Sequence, residues 1–301
     1  MTTSKTAGAA SPNILLATDL SSRCDRAFDR ASAIAISLGA TLHVVTAIEG
    51  DFHQPSWRSN QRLTLARVRS EVAEALGDRV LSWEPVVASG VPHEVVIDAA
   101  NQIGVNLIVI GVARNELLGR LKPGRTVEAL IREAPAPVLM VRRRSTRGYR
   151  QILVPTDYSL AAELGLARAA SMFHEAQFTL LHGYRVPFAG FLSDAAHEAD
   201  FKEVAVEEQA GFIARVEARM GQTGRIIGLV EYGDPDQLVS DYVENIAPDL
   251  MVIGAHDHSG VLGSLSADIA SRLLMAVGCD VLVVPEASEL IATAGAPAEM
   301  A

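Results

Sequence analysis

Cysteine is nearly absent. Cys24 and Cys279 are the only two, and they stand too far apart to suggest a disulfide framework or a zinc site. No apolar run approaches the roughly 20 residues needed to cross a bilayer. The stretch Met1–Ser11 is small and polar and lacks the apolar segment of a secretory signal. These absences predict a cytoplasmic protein with no membrane insertion. Excess positive charge is missing too: 26 Lys and Arg face 36 Asp and Glu, for a formal net charge of −10. Broad nucleic-acid binding needs a basic face, so no DNA partner is expected. There is no G-x-x-x-x-G-K-[ST] phosphate loop, and no paired nucleophile and base stands out.

One local exception to the acidic balance is the run Arg142, Arg143 and Arg144, with Arg147 and Arg150 close behind. It reads first as a solvated linker, and alternatively as a phosphate or nucleic-acid patch. The chain's 301 residues, 49% of them hydrophobic, suit two domains with sizeable cores. The Ala-, Gly- and Pro-rich stretch after Pro285 reads as a loose tail.

An internal repeat accounts for the two domains. Residues 13–21 (NILLATDLS) return as 151–159 (QILVPTDYS), which places Asp19 against Asp157. Residues 89–92 (SGVP) return as 232–235 (YGDP), 106–111 (NLIVIG) as 249–254 (DLMVIG), and 137–141 (PVLMV) as 280–284 (DVLVV). The last three blocks share an offset of 143, so the halves align without a gap from Gly90 to Val141. The expected units are 12–144 and 150–286, with 1–11 and 287–301 as loose tails.

Each half alternates short apolar runs with helical patterns. Strands are expected at Ile14–Ala17, Thr41–Ile48, Val80–Val87, Leu107–Ile110 and Val138–Val141. Their repeats are Ile152–Pro155, Phe178–Tyr184, Arg225–Glu231, Leu250–Ile253 and Val281–Val284. Helices are expected at Ala27–Leu38, Asn60–Leu76, Arg125–Glu133, Ala161–Phe173, Asp194–Met220 and Asp268–Val277. Ser21 or Ser22, and Ser159, are placed to cap the first helix of each half. Gly39 is placed to end one, and Pro92 and Pro235 to begin others. Strands apolar on both sides, alternating with helices, imply a parallel sheet covered on both faces, with ligands beyond the strands' carboxyl ends.

The phrases ILVPTDYS (152–159) and PDLMVIGAH (248–256), the two G-x-P turns, and the closing PVLMV and CDVLVVP together resemble the universal stress protein family. The likeness spans nearly all of residues 12–286. It implies two tandem doubly wound α/β domains, each a five-stranded parallel sheet of the adenine nucleotide alpha hydrolase-like class. It also implies that the last strands pair internally to give a pseudo-twofold dimer within one chain. A homodimer and unidentified protein partners are further expectations.

The resemblance also implies where ATP, with Mg, would bind. An acidic residue after the first strand faces adenine, and a small residue after the second lines the base pocket. A loop patterned G-x-x-G-x9-G-[ST] then cradles ribose and phosphates. In the first half the corresponding residues are Thr18, Asp19, Ala47, Gly111, Arg114, Gly124, Arg125 and Thr126. Spacing is kept, but Arg114 replaces the second glycine and Arg125 the Ser/Thr. Either arginine could pair with a phosphate or occupy its place. In the second half the set is Thr156, Asp157, Gly183, Gly254, Asp257, Ala267 and Asp268, with Gly263-Ser264 four residues early. A like-charge contact at about 4 Å costs about 1 kcal/mol in water and about 4 at an intermediate dielectric. Asp257 and Asp268 therefore predict a degenerate second site.

Blander readings stand beside these. Asp19 and Asp157 could simply cap helices. His256-Asp257-His258 is a solvated loop or a metal cluster, and His43, His174 and His182 are structural. Cys24, near a helix start, reads first as an ordinary thiol, and only exposure there would lower its pKa and open a redox role. The H-x-G-H and S-G-G-x-D-S loops of nucleotidyl-transferring relatives are absent. The sequence therefore supports a stress-response regulator with a nucleotide site in the first half, against a nucleotide-free interaction scaffold and, third, a slow ATPase.

Overall fold

The computed structural model describes residues 11–21, 24–48, 57–112, 124–144, 147–185, 195–255 and 277–285. The first half runs β1 (Asn13–Ala17), α1 (Asp25–Leu38), β2 (Thr41–Ile48), α2 (Trp57–Leu76), β3 (Trp83–Ser89), α3 (Pro92–Ile103), β4 (Leu107–Gly111), α4 (Arg125–Glu133) and β5 (Val138–Val141). The second half runs β6 (Gln151–Pro155), α5 (Leu160–Met172), β7 (Gln177–Tyr184), α6 (Ala195–Met220), β8 (Ile226–Tyr232), α7 (Pro235–Ile246), β9 (Leu250–Ala255) and β10 (Asp280–Pro285). The helix expected at Asp268–Val277 lies outside the described residues.

The strands form one ten-stranded sheet, ordered β3-β2-β1-β4-β5-β10-β9-β6-β7-β8. Every neighbouring pair is parallel except the central β5–β10 pair, which is antiparallel. The two five-stranded halves thus meet through their last strands in a pseudo-twofold arrangement. Alternate strand residues feed two cores. Ile14, Leu16, Val109 and Leu139, with Ile152, Val154 and Leu282, pack under α1, α2, α5 and α6. Leu15, Ile108, Met140, Leu153, Met251 and Val281 pack under α3, α4 and α7. Burial on both faces is why these strands read as unbroken apolar runs.

Local signals hold at most ends. Gly39 closes α1 with φ 61°. The turns before α3 and α7 repeat each other, with Gly90 at φ 154° and Gly233 at φ 149°, a region that favours glycine. Pro92 and Pro235 follow in the first turn of each helix. Ser159 Oγ accepts the Ala162 N–H at 3.3 Å and caps α5. The first half departs from this: α1 is preceded by Cys24 with no side-chain cap, and Ser21 instead donates its N–H to Asp19. Ser22 lies outside the described residues. The third strand also starts later than Val80, which is 93% exposed. Its apolar character marks a solvent-facing turn, and β3 begins at Trp83 with Pro85 tolerated on the sheet's outer edge.

The arginine run is not a fully solvated linker. Arg142 is buried, and its N–H donates to Asp280 Oδ1 at 2.7 Å while its Nη1 donates to the Val277 carbonyl at 2.6 Å. The Arg143 N–H reaches the same Oδ1 at 2.9 Å, and the Tyr149 hydroxyl donates to Asp280 Oδ2 at 2.7 Å. Asp280 itself is 0% exposed, and Arg30 Nε lies 3.5 Å from its Oδ2. From α1, Arg26 and Arg30 donate to the carbonyls of Arg142 and Arg147 at 2.7 and 2.6 Å. The segment is thus clamped between the halves, because one buried carboxylate gathers its donors. Arg143, Arg144, Arg147 and Arg150 are exposed and only Arg142 is buried, so the solvated reading fails at Arg142 and at the Arg143 backbone.

Candidate functional site

In each half the strand order reverses where the first strand meets the fourth, at β1/β4 and at β6/β9. Loops diverge there and leave a crevice at the carboxyl ends. Ala17, the last residue of β1, is in register with Val45 of β2 and Ile110 of β4. Thr18 and Asp19 therefore emerge at the same end of the sheet as Ala47 and Gly111.

The Thr18–Ser21 turn is built by its own side chains. The Thr18 N–H continues the ladder to the Val45 carbonyl at 3.0 Å. Thr18 Oγ1 accepts the Leu20 N–H at 3.0 Å, and Asp19 Oδ1 accepts the Ser21 N–H at 2.9 Å. Leu20 is forced to φ 59°. The second half repeats this: Thr156 Oγ1 accepts from Tyr158 N–H at 2.9 Å, Asp157 Oδ1 accepts from Ser159 N–H at 3.0 Å, and Tyr158 sits at φ 61°. A non-glycine residue in this region costs about 1–3 kcal/mol, and such strain concentrates at functional turns.

The two turns differ in what surrounds them. Asp19 is exposed, whereas Asp157 is half-buried. Partial burial works against the Asp19 charge, but hydrogen bonding from Ser21 and from the Cys24 thiol, 3.2 Å from Oδ1, outweighs it and holds the carboxyl below its usual range. In the second half Tyr158 stacks on His182, with centroids 4.3 Å apart, and leans on Phe212. Its hydroxyl donates to the Ala205 carbonyl at 3.3 Å, and burial pushes the phenol's pKa up. His182 Nδ1 lies 2.9 Å from the Thr156 carbonyl, which fixes the ring behind the turn. Leu20 and Thr46 hold the corresponding places in the first half.

Gly124 precedes α4 with no side-chain cap, and Arg125 and Thr126 form the first turn. The N–H groups of a helix's first turn, together with the helix dipole, make an anion-attracting end. A Cβ at Gly124 would meet nothing within 4 Å.

The glycines of the second half have a different explanation. A Cβ at Gly254 would lie 2.0 Å from the Ala161 carbonyl oxygen, and one at Gly183 would lie 3.0 Å from Leu238 Cδ1. Close approach of α5 and α7 to the strands accounts for both residues. Arg114, Asp257, Ala267 and Asp268 lie outside the described residues, as does the 256–258 cluster. Among the described residues no cluster of three metal-binding side chains occurs, and no helix is long and apolar enough to cross a membrane.

His43 is buried, with Nε2 3.1 Å from Asn13 Oδ1 and Nδ1 3.7 Å from Glu84, and desolvation lowers its pKa. The structural reading of His43 and His182 agrees with these contacts. Cys24 does not meet the condition of exposure: it is half-buried, and burial, joined by the Asp19 carboxylate, pushes its thiol up against the lowering effect of Thr18 and the Asp19 backbone. Sequence reasoning also missed Asp280 as more than a strand residue. Its one visible signal was a carboxylate opening an apolar strand where the first half has Pro137.

A model of the universal stress protein family matches residues 11–142 and again 148–285. Universal stress protein A homolog 1 of Coxiella burnetii is 32% identical over 137 residues, covering 43% of this chain and 94% of that protein. A universal stress protein of Thermus aquaticus is 35% identical over 133 residues, covering 43% of this chain and 97% of that one. The crystal structure of a universal stress protein from Archaeoglobus fulgidus aligns with a TM-score of 0.67 at 16% identity, covering 92% of this chain and 99% of that chain. Matched twice over nearly its whole length, the chain belongs to the universal stress protein family and carries two copies of the family's domain in tandem.

Proposed function

We propose that this protein is a stress-response regulator that senses an adenine nucleotide at one site, at the carboxyl end of the first half's sheet. The supporting observation is a difference between the halves. In the first, an exposed and ionised Asp19 stands at the crevice where α4 begins uncapped at Gly124. A carboxylate suits the exocyclic amine of adenine or a ribose hydroxyl, and an uncapped helix end suits a phosphate. Arg125, in the first turn of α4, adds a positive charge. In the second half Asp157 is half-buried.

Thermal-shift titration of the full chain with ATP, ADP and cyclic nucleotides, with and without Mg²⁺, tests the reading. A ligand that binds only the native state at 100 times its Kd adds about 2.7 kcal/mol. The expected result is a shift of a few degrees that is lost in Gly124→Asp and in Asp19→Ala but kept in Asp157→Ala. Loss in Asp157→Ala alone would move the site to the second half. No shift at millimolar nucleotide would leave a scaffold that acts through protein partners. The close packing around Gly254, which accounts for that residue without any nucleotide, favours this second reading for the second half. Sustained phosphate release that vanished in Asp19→Ala would instead indicate a slow ATPase.

A further inference from the structure

The junction of the two halves poses a choice that its strands cannot make. Leu139 of β5 lies opposite Leu282 of β10. These residues hold the same place in the repeat, so the pseudo-twofold axis passes between them and the paired strands are near copies, VLMV against VLVV. A second chain could offer its own β10 to β10, or its β5 to β5, in the same register and with the same apolar faces. Unpaired edges of this kind invite intermolecular pairing and domain swapping.

The polar groups beside the ladder are not copies. At the repeat offset of 143, Asp280 answers to Pro137, Arg142 to Pro285, and Arg143 to Glu286. Within one chain, the buried Asp280 carboxylate receives the N–H groups of Arg142 and Arg143 and the Tyr149 hydroxyl, with Arg30 Nε 3.5 Å away. Arg30 also stacks over the Tyr149 ring, 4.1 Å from its centroid. A β10–β10 pairing between copies would set Asp280 against Pro285, which has no N–H in place of the Arg142 donor. Arg168, the repeat counterpart of Arg30, would still bring a positive charge, but the backbone donor and the phenol would be gone, at two symmetry-related places. A β5–β5 pairing would present Pro137, which offers no carboxylate to the Arg142 and Arg143 N–H groups. A buried carboxylate that loses the Arg142 N–H and the Tyr149 hydroxyl is disfavoured, and buried polar groups are best attested where they select one pairing over near-equal alternatives.

We propose that Asp280, held by Arg30, Tyr149 and the Arg142–Arg143 backbone, is a partner-choice lock that commits β10 to the chain's own β5 and excludes a second copy from the sheet junction. Any homodimer of this chain then uses a different surface. The proposal is independent of nucleotide binding.

Disulfide trapping on the full chain tests it. Leu139→Cys and Leu282→Cys are introduced together, with Cys24→Ser and Cys279→Ala removing the native thiols. Facing positions on antiparallel strands bring Cα atoms to about 4.5–5.5 Å, inside the about 4.4–6.8 Å that a disulfide spans. The chain is refolded at rising concentration, oxidised, and resolved without reductant. With Asp280 present the expected product is the intrachain species alone. Asp280→Pro, which copies the first half, should divert a concentration-dependent share into cross-linked dimer. Tyr149→Phe removes one donor and little volume, and it serves where Asp280→Pro does not fold. It should raise the ratio of interchain to intrachain product about tenfold. Equal interchain product with and without these substitutions, or none in any background that folds, overturns the proposal.

Discussion

Gly254, which the sequence placed in a degenerate second site, serves close packing. The carbonyl of Ala161, in the first turn of α5, lies where a side chain would begin, and Gly165 of the same helix rests on the Gly254 backbone. Gly254→Ala is therefore expected to destabilise the chain by about 1–3 kcal/mol or more, as overpacking does, read as a lowered urea midpoint. The same substitution at Gly124, which has open space, should leave stability nearly unchanged. His43 supplies a pH dependence. Desolvation lowers its native pKa below the ordinary value near 6.5, so the unfolded chain binds the proton more readily. His43 stabilises above that ordinary value, and the contribution fades as pH falls through its native pKa. Urea midpoints at pH 7.5 and 5.5 should drop further in the wild type than in His43→Gln.

Among the elements, the two opening helices separate what repeats from what does not. Both follow a Thr-Asp-x-Ser turn with the third residue left-handed. Only α5 is capped by its serine. Ser159→Ala should cost about 1 kcal/mol, whereas Ser21→Ala should cost little, because that residue contributes its backbone N–H to Asp19. Differential scanning calorimetry of the two variants checks the contrast. In the first half, Cys24 before α1 and Gly124 before α4 make no side-chain cap. The two edge strands also differ: β3 carries Pro85, which blunts that edge, while β8 carries none and exposes Ile227 and Tyr232.

At the scale of the whole molecule, one buried cluster ties the halves together. Removing one member of a buried ion pair costs about 3–5 kcal/mol, because the other is left without compensation. Arg30→Met, which removes the cation beside the buried Asp280 carboxylate but leaves its three hydrogen-bond donors, should lower the unfolding temperature by more than Arg67→Met, whose ion pair with Glu71 is on the surface. Calorimetric scans of both variants under one buffer decide this. The pseudo-symmetry extends to Arg168, the repeat counterpart of Arg30, which reaches back into the first half to donate to the Asn106 carbonyl at 3.1 Å.

The repeat, the alternation of elements, the G-x-P turns and the Gly39 stop were legible in the sequence, because each depends on residues a few positions apart. The candidate site was legible to the same extent: Thr18 and Asp19 follow an apolar run, and parallel strands bring such ends together. What escaped was set by partners distant along the chain. Asp280 and Arg142 are 138 residues apart, and nothing local marks a run of arginines as buried. Nothing near Gly254 in the sequence announces that α5 lies against it. Local backbone chemistry, repeated twice, determined the strands and turns. Tertiary structure alone decided which charges are buried and which glycines make room for a helix, because burial is a property of what arrives from elsewhere in the chain.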